Sequence, residues 1–255
     1  MSFIPSEIIT QCTDDVIVNI KRTLGSRCRF KSYNDRDFNS VLSQKAVAYL
    51  GSKIMIHTHL TNSPYSKIHF EYGLEEAINL AADKSGRKAQ LATIGNPGHD
   101  ITINGERYSL KTQAGKSTNF HFIHISKWME LGKNPNWGQD ETVLTELRKE
   151  FLSHLQGYER ILVLRYLPGR KANSEYSHYY ELIEIPKTLL ITCQDGWFEM
   201  KFDSRQNPKP GYCYVVEGKT KLFSLYFDGG GERKLQIKSI IKERCILHAT
   251  WEFDV

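Results

Sequence analysis

The chain has 255 residues, of which 40% are hydrophobic and 25% are charged, and its formal net charge is +5. These values are ordinary for a globular protein, and the mildly basic charge permits a nucleic-acid partner without requiring one. The five scattered cysteines contain no CxxC pair, no apolar run approaches membrane-spanning length, and no signal-peptide pattern opens the chain. We therefore expect a cytoplasmic protein without a disulfide framework, a cysteine-based zinc site or a membrane partner.

The first 65 residues are predicted to be mainly helical. Residues 5–23 and 38–50 are the two expected helices, the second with a cap near Asp37 or Asn39. The polar, basic stretch at 25–39 predicts an exposed loop, with a phosphate-contacting arm as the less favoured alternative. Alternating apolar and polar residues at 54–60 predict a short strand.

Residues 66–82 predict a helix with one buried face. Its apolar stripe consists of Phe70, Leu74, Ala77, Ile78 and Ala81. At about 100° per residue, Glu71 lies at the edge of that stripe, whereas Glu76 points to solvent. A carboxylate at the border of a buried stripe is either a solvated border residue or an acid directed into a site.

A β-hairpin is predicted at residues 100–113. Asn104 and Gly105 favour a type I′ turn, because both residues tolerate a positive φ angle, and a two-residue turn fixes the strand register. Side chains alternate along a strand, so one face carries Asp100, Thr102, Arg107, Ser109, Lys111 and Gln113. The opposite face carries Ile101, Ile103, Tyr108 and Leu110.

Asp100 lies opposite Ser109 in this register and diagonal to Lys111, within reach of a long side chain. A carboxylate in such a place can hold Mg²⁺, which lowers the pKa of a bound water, while a lysine orients that water for attack on a phosphodiester. The same residues also fit a hairpin whose polar face simply meets solvent. Spacing alone favours this simpler interpretation.

The pattern of apolar residues in the middle of the chain predicts further strands and helices. The expected strands are at 120–125, 160–167 and 179–185, and the expected helices are at 126–131, 140–158 and 186–190. The strand at 160–167 is almost continuously apolar, which is typical of a central strand buried on both faces. Arg165 interrupts it and requires a partner, either an acid or a phosphate.

The last quarter of the chain predicts antiparallel strands at 212–216 and 221–227, followed by three glycines at 229–231. These glycines permit a sharp turn, but the GxxxxGK[ST] spacing is absent, so we expect no nucleotide cofactor. From Lys234 the side chains alternate, with Leu235 and Ile237 facing inward.

The outward face of this last strand suits the reading of DNA bases. Arginine and lysine donate to guanine N7 and O6, and carboxylates accept from cytosine N4. The candidate DNA-binding residues are Asp228, Glu232, Arg233, Lys234, Gln236, Lys238 and Lys209. The alternative is a charged, solvent-exposed edge strand whose lysines prevent aggregation.

Six segments of the chain resemble the SmaI restriction endonuclease family, which has a PD-(D/E)xK nuclease site. They are NPGHDITI at 96–103, LKT at 110–112, ISKWMELG at 125–132, KPGY at 209–212, FSLYFDGG at 223–230 and ERKLQIK at 232–238. They follow the family order from about residue 70 onward, and the first seventy residues match poorly. The resemblance implies a type II restriction enzyme that cuts the palindrome CCCGGG at its centre and leaves blunt ends.

The resemblance also implies roles for individual residues. Asp100 takes the place of the first acid, and Ser109-Leu110-Lys111 stands where the family has (D/E)xK, so a second acid is missing. In the wider superfamily a glutamate of the preceding helix often supplies it, and Glu71 matches that position, ahead of Glu130 and Gln113. The candidate catalytic residues are Asp100, Lys111, Glu71 and Gln113, and the candidate Mg²⁺ ligands, through carboxylate or carbonyl oxygens, are Asp100, Glu71 and Leu110.

The predicted fold class is α/β, a restriction-endonuclease-like mixed central sheet flanked by helices with a C-terminal antiparallel segment. Residues 1–255 are expected to form one endonuclease domain: a helical part at 1–65 for dimer or DNA contact, a catalytic core at 66–190, and recognition strands at 191–255. The predicted partners are double-stranded DNA and a second copy in a homodimer, since protein symmetry mirrors site symmetry, with a monomer that nicks twice as the alternative. The alternatives are a nicking endonuclease of the mismatch-repair type and a DNA-binding module that has lost catalysis, the latter motivated by Ser109.

Overall fold

A computed structural model of the chain describes residues 6–33, 42–82, 89–93, 98–115, 117–133, 137 and 140–254. The helices in these ranges are α1 Ser6–Leu24, α2 Gln44–Thr61, α3 Lys67–Ala81, α4 Thr142–His154, α5 Gly169–Ala172 and α6 Lys187–Ile191. The strands are β1 Cys28–Ser32, β2 Ala89–Leu91, β3 Ile101–Ile103, β4 Glu106–Gln113, β5 Phe122–Glu130, β6 Arg160–Pro168, β7 His178–Glu184, β8 Trp197–Met200, β9 Gly211–Glu217, β10 Thr220–Asp228, β11 Lys234–Ile241 and β12 Ile246–Phe253.

The strands form two sheets. The first has seven strands in the order β1-β12-β7-β6-β4-β3-β2, and the second has five in the order β5-β11-β10-β9-β8. In the first sheet β4 and β6 run parallel, and the other neighbours are antiparallel. Strand β6 lies at the centre of the first sheet, as its apolar sequence predicts. The mixed α/β architecture with a C-terminal antiparallel sheet is therefore confirmed.

Helices α2 and α3 cover one face of the first sheet. Ser43 caps α2 by accepting from the Ala46 amide, and Ser66 caps α3 by accepting from the His69 amide. The helices contribute Leu50, Ile54, Phe70, Leu74 and Ile78 to a core that they share with Ile101, Ile103, Tyr108, Leu110, Leu162, Leu164 and Trp251 of the sheet. The predicted stripe of α3 and the predicted inward face of the hairpin meet in this core.

The second sheet and α4 cover the other face of the first sheet. This core joins Leu144, Leu147 and Phe151 of α4 with Ile161, Val163 and Ile183 of the first sheet and Ile237, Leu225 and Phe227 of the second. Because side chains alternate along β6, Leu162 and Leu164 face α2 and α3 while Ile161 and Val163 face α4. The first sheet is thus buried on both sides.

The two sheets exchange strands along the chain. Strand β12 follows the second sheet in sequence but inserts between β1 and β7 of the first. Strand β5, from the middle of the chain, forms an edge of the second sheet and pairs with β11. Each sheet therefore contains residues from both the 66–190 and the 191–255 segments.

Two predicted elements have the wrong secondary structure. Residues 54–60 belong to α2, because Ile54, Met55 and Thr58 are buried at helical spacing and no helix breaker occurs before Asn62, which ends α2 with φ 49°. Residues 126–130 continue strand β5 rather than forming a helix, because pairing with β11 outweighs the local helical pattern.

The basic stretch at 25–39 is not entirely a loop. Residues Cys28–Ser32 form β1, which pairs with β12 at the edge of the first sheet, and Arg29 contacts Glu252 at 2.8 Å. The caps predicted at Asp37 and Asn39 lie outside the described residues. The helix predicted at 5–23 is confirmed as α1.

Candidate active site

The hairpin between β3 and β4 has the predicted register. Asn104 and Gly105 form its turn with φ angles of 51° and 87°, and Ile101 faces Tyr108 while Ile103 faces Glu106. This register places Ser109 and Lys111 on the face of the sheet opposite α2 and α3. The local sequence therefore determines where the candidate acid and the candidate lysine point.

Asp100 precedes β3 and receives hydrogen bonds on both carboxylate oxygens. Oδ2 accepts from the Leu110 amide at 2.6 Å and from Ser109 Oγ at 3.3 Å, and Oδ1 accepts from Lys67 Nζ at 2.7 Å. Burial alone would raise the pKa of Asp100, but the ammonium groups of Lys111 and Lys67 and the Leu110 amide hold this pKa below its usual value. Asp100 is thus an ionised, well-oriented carboxylate.

Ser109 connects the acid to the lysine. Lys111 Nζ donates to Ser109 Oγ at 2.8 Å, and the same hydroxyl donates to Asp100 Oδ2. Lys111 Nζ also lies 5.4 Å from the ring centroid of Trp128 on β5. Burial lowers the pKa of Lys111 to about 8, against the opposing influence of Asp100. The hydroxyl that replaces the expected second acid therefore bridges the two predicted catalytic groups.

Glu71 on α3 approaches the same place through Lys67. Lys67 Nζ lies 2.9 Å from Glu71 Oε1 and 2.7 Å from Asp100 Oδ1, so both carboxylates face one ammonium nitrogen. The side chains of Glu71 and Asp100 are only 21% and 20% exposed. The structure thus brings Glu71 to the site, as the edge of the α3 stripe predicts. Lys67 was not predicted, although its position four residues before Glu71 could have indicated an ion pair.

These two carboxylates fit a divalent cation. Their oxygens already converge on a positive charge, and hard cations prefer carboxylate oxygen ligands. The described residues contain no group of three or more His, Cys, Asp or Glu side chains that could hold a metal ion. A cation at this point would therefore complete its ligand shell with backbone oxygen, water or substrate. The Leu110 amide contacts Asp100, and its carbonyl is the candidate backbone ligand.

The two other candidates for the second acid lie elsewhere. Gln113 Oε1 accepts from Arg165 Nε at 2.8 Å, which draws the amide into a buried cluster. Glu130 is 73% exposed and pairs with Lys127 at 2.8 Å. These contacts do not include the Lys67 ammonium group that joins Glu71 to Asp100.

Arg165 has the acidic partner that its buried position requires. Its guanidinium contacts Glu181, and both side chains are fully buried. Arg165 also donates to the backbone carbonyl groups of Asn119 and Phe122, so it fixes the connection between β4 and β5. This cluster links the strand that carries Lys111 to the strand that carries Trp128.

Asp228, at the end of β10, is the centre of a hydrogen-bond network on the outer face of the second sheet. Its Oδ1 accepts from Gln206 Nε2 at 3.0 Å and from the Gly230 amide at 3.1 Å, and its Oδ2 accepts from Gln236 Nε2 at 2.8 Å. The Tyr226 hydroxyl donates to the side-chain oxygen Oε1 of Gln206 at 3.3 Å. The candidates Asp228 and Gln236 are therefore brought together, and Gln206 joins them without having been predicted.

Lys238 packs against aromatic rings on the same face. Its Nζ lies 3.6 Å from the centroid of Tyr226 and 3.2 Å from the hydroxyl of Tyr212. Tyr212 stacks in turn on Tyr214, with ring centroids 5.2 Å apart. Lys238 is thus fixed on neutral rings beside the Asp228 network.

The remaining recognition candidates lie around the turn before β11. Lys234 pairs with the exposed Glu232 at 2.9 Å, and the Arg233 guanidinium lies 5.8 Å from the ring centroid of Trp137. The Trp137 indole donates to the backbone carbonyl of Lys209 at 3.1 Å. Trp137 therefore joins the turn of Arg233 to the loop of Lys209.

Residues 9–253 match the family model of SmaI, described as a type II site-specific deoxyribonuclease. The chain belongs to the SmaI family. It is 44% identical over 205 residues to the type II restriction enzyme SmaI of Serratia marcescens, an alignment that covers 80% of this chain and 77% of that enzyme. No solved structure gives a significant match.

Membership of the SmaI family confirms the resemblance drawn from the sequence segments. The protein is a site-specific endonuclease that acts on DNA, and enzymes of this type generally need a divalent metal ion. No helix within the described ranges has the length and apolar character needed to cross a membrane.

Proposed function

We propose that this enzyme cuts both strands of DNA at the centre of the palindrome CCCGGG in the presence of Mg²⁺, leaving blunt ends. The 44% identity to the Serratia marcescens enzyme SmaI supports this proposal. The nuclease chemistry in it is supported by the contacts of Asp100, whose Oδ1 shares Lys67 with Glu71 and whose Oδ2 accepts from Ser109 of the Ser109–Lys111 pair. The products would carry 5′-phosphate and 3′-hydroxyl groups.

In this proposal Asp100 and Glu71 hold the metal ion, with the Leu110 carbonyl as an additional ligand. Mg²⁺ would supply charge stabilisation at the phosphate and a bound water of lowered pKa. Lys111 orients the attacking water, and its contact with Ser109 keeps the ammonium group pointed toward Asp100. The water oxygen bonds to phosphorus and gives up a proton to solvent, the bond from phosphorus to the 3′ oxygen breaks, and that oxygen takes up a proton from solvent.

Base recognition is proposed for the outer face of the second sheet and the turn that precedes β11. Arg233, Lys234 and Lys238 would donate to guanine, and Lys209 would contact the DNA backbone. Asp228 would accept from cytosine N4 with the lone pair that its three protein contacts leave available. Glu232 is exposed and could accept from a second cytosine.

We further propose that the enzyme acts as a homodimer that contacts itself through α1. Ile8, Val16 and Val18 of this helix are each more than half exposed, and an isolated amphipathic helix gains most of its stability from packing. A twofold dimer would place one active site on each strand of a palindrome. A cytoplasmic location is proposed on the pattern of cysteines and on the bacterial relative.

Cleavage of a supercoiled plasmid with one CCCGGG site tests this function. With Mg²⁺ the plasmid should become linear. Open circles that never become linear would instead indicate a nicking endonuclease. Binding without any cleavage would indicate a DNA-binding module in which Ser109 marks the loss of catalysis.

A further inference from the structure

Lys67 occupies an unusual place for a charged surface residue. Its Nζ lies within 3 Å of two carboxylates from different elements, Glu71 on its own helix and Asp100 ahead of β3. Lys67 is the first residue of α3, and the i,i+4 spacing brings Glu71 to the same side of the helix. A single ammonium group thus lies where the two proposed metal ligands converge.

The exposed ion pair of Lys127 looks different. Lys127 pairs with one carboxylate, Glu130, and both side chains are close to half exposed or more. The acids of Lys67 are about one-fifth exposed, so their charges are poorly screened by water. Without a cation between them, the carboxylates of Asp100 and Glu71 would repel each other.

We propose that Lys67 is an internal cation that holds Asp100 and Glu71 in place and competes with the metal ion for them. This inference rests on the proposed function, because it takes both acids as metal ligands. A divalent ion that binds between the carboxylates takes the position of the Lys67 ammonium group, and the two positive charges repel each other there. Lys67 therefore weakens metal binding by the free protein, while it prevents charge repulsion in the absence of metal.

The geometry of Lys67 allows the exchange that this competition requires. The four-carbon side chain can withdraw toward solvent, because Lys67 is 44% exposed.

Mn²⁺ binding without DNA tests the proposal, since the electron paramagnetic resonance signal of free Mn²⁺ decreases on binding. Lys67→Met should bind Mn²⁺ about tenfold more tightly or better than the unsubstituted protein, because the competing charge is gone. Lys67→Gln, which keeps a hydrogen-bonding group but no charge, should behave likewise and serves if the Met variant does not fold. Lys53→Met is the matched control, because Lys53 pairs with Glu76 on the other side of α3, and it should leave Mn²⁺ affinity unchanged.

Adding Asp100→Asn to Lys67→Met should abolish the increase in Mn²⁺ affinity. The inference would be overturned if both Lys67 variants bind Mn²⁺ no more tightly than the unsubstituted protein, or if neither binds it measurably. It would also be overturned if the gain in Mn²⁺ affinity persists when Asp100→Asn is added. Plasmid cleavage by the unsubstituted enzyme separates a failure of the Lys67 proposal from a failure of the proposed nuclease function. Cleavage together with unchanged Mn²⁺ affinity contradicts only the role of Lys67, whereas a gain in affinity without any cleavage contradicts the nuclease function.

Discussion

Lys67 and Lys111 at the hairpin site and Lys238 on the outer face of the second sheet are held in opposite ways. At the hairpin, Lys67 contacts Asp100 directly and Lys111 reaches it through Ser109. On the second sheet, Lys238 packs against the neutral rings of Tyr226 and Tyr212. Charges that contact charges can exchange partners with a metal ion, whereas a charge fixed on aromatic rings remains available to a polyanion. In the proposed function, this difference separates the region of chemistry from the region of base recognition.

The largest loss of cleavage is expected on substitution of Lys111, and the contrast between the two regions fails if this residue takes no part in the reaction. Lys111→Ala should reduce cleavage about 10²- to 10⁴-fold, the range typical of a group that handles a proton or orients a nucleophile, while DNA binding persists. Plasmid cleavage rates and gel-shift titrations measure the two properties separately. Lys127→Ala, at an exposed position of β5, is the control and should cleave normally. Retained cleavage by Lys111→Ala would remove this residue from the mechanism.

The connection between the two regions depends on the buried Arg165 cluster. Arg165→Met leaves Glu181 buried with only part of its pairing and should lower the free energy of unfolding by about 3–5 kcal/mol. Arg107→Met removes an exposed pair with Glu159 and should cost less than about 1 kcal/mol. Urea denaturation measures both, and equal losses would show that the cluster is not what joins β4 to β5.

Two substitutions test whether Glu71 or Gln113 is the second metal ligand. Glu71→Ala should reduce cleavage at least about 100-fold, because even the outer partners of metal ligands commonly change metal affinity by 10- to 100-fold. Gln113→Ala should have a smaller effect, since its amide contacts Arg165 instead of the site. Initial cleavage rates at one fixed, subsaturating Mg²⁺ concentration decide the order. The reverse order would reject Glu71 as a ligand.

The smallest effect is expected for substitutions of the proposed base-recognition residues on the outer face of the second sheet. Asp228→Ala frees the amides of Gln206 and Gln236 and should reduce discrimination against a single-base variant of CCCGGG by about 1–3 kcal/mol. Glu232→Ala, an exposed neighbour, is the comparison and should lose less. The ratio of kcat/KM for the two sequences is the measurement. An unchanged ratio in Asp228→Ala would place base recognition elsewhere.

Local sequence patterns predicted the parts of this molecule that depend on short-range geometry. The Asn104-Gly105 turn fixed the hairpin register, the apolar stripe placed Glu71 at the edge of α3, and the run at 160–167 predicted a central strand. Each of these follows from backbone preferences or from one repeating period. For that reason, the candidate acid and lysine could be placed on one face before the fold was known.

Contacts between distant segments could not be predicted in the same way. Residues 126–130 form a strand only because β11 pairs with them, and β12 returns to the first sheet from the far end of the chain. The link from Lys67 to Asp100 spans 33 residues and depends on how α3 packs on the hairpin. Similarly, Gln206 meets Asp228 only after a loop folds back onto β10.

Mapping the ends of digested DNA tests the central claim most directly. The substrate should contain CCCGGG and its single-base variants, with Mg²⁺ present and Asp100→Asn as the inactive control. The account predicts blunt 5′-phosphate ends at the centre of CCCGGG, with no such ends from the control. Ends at other positions, or equal cutting by Asp100→Asn, would contradict the assignment of this hairpin as the nuclease site.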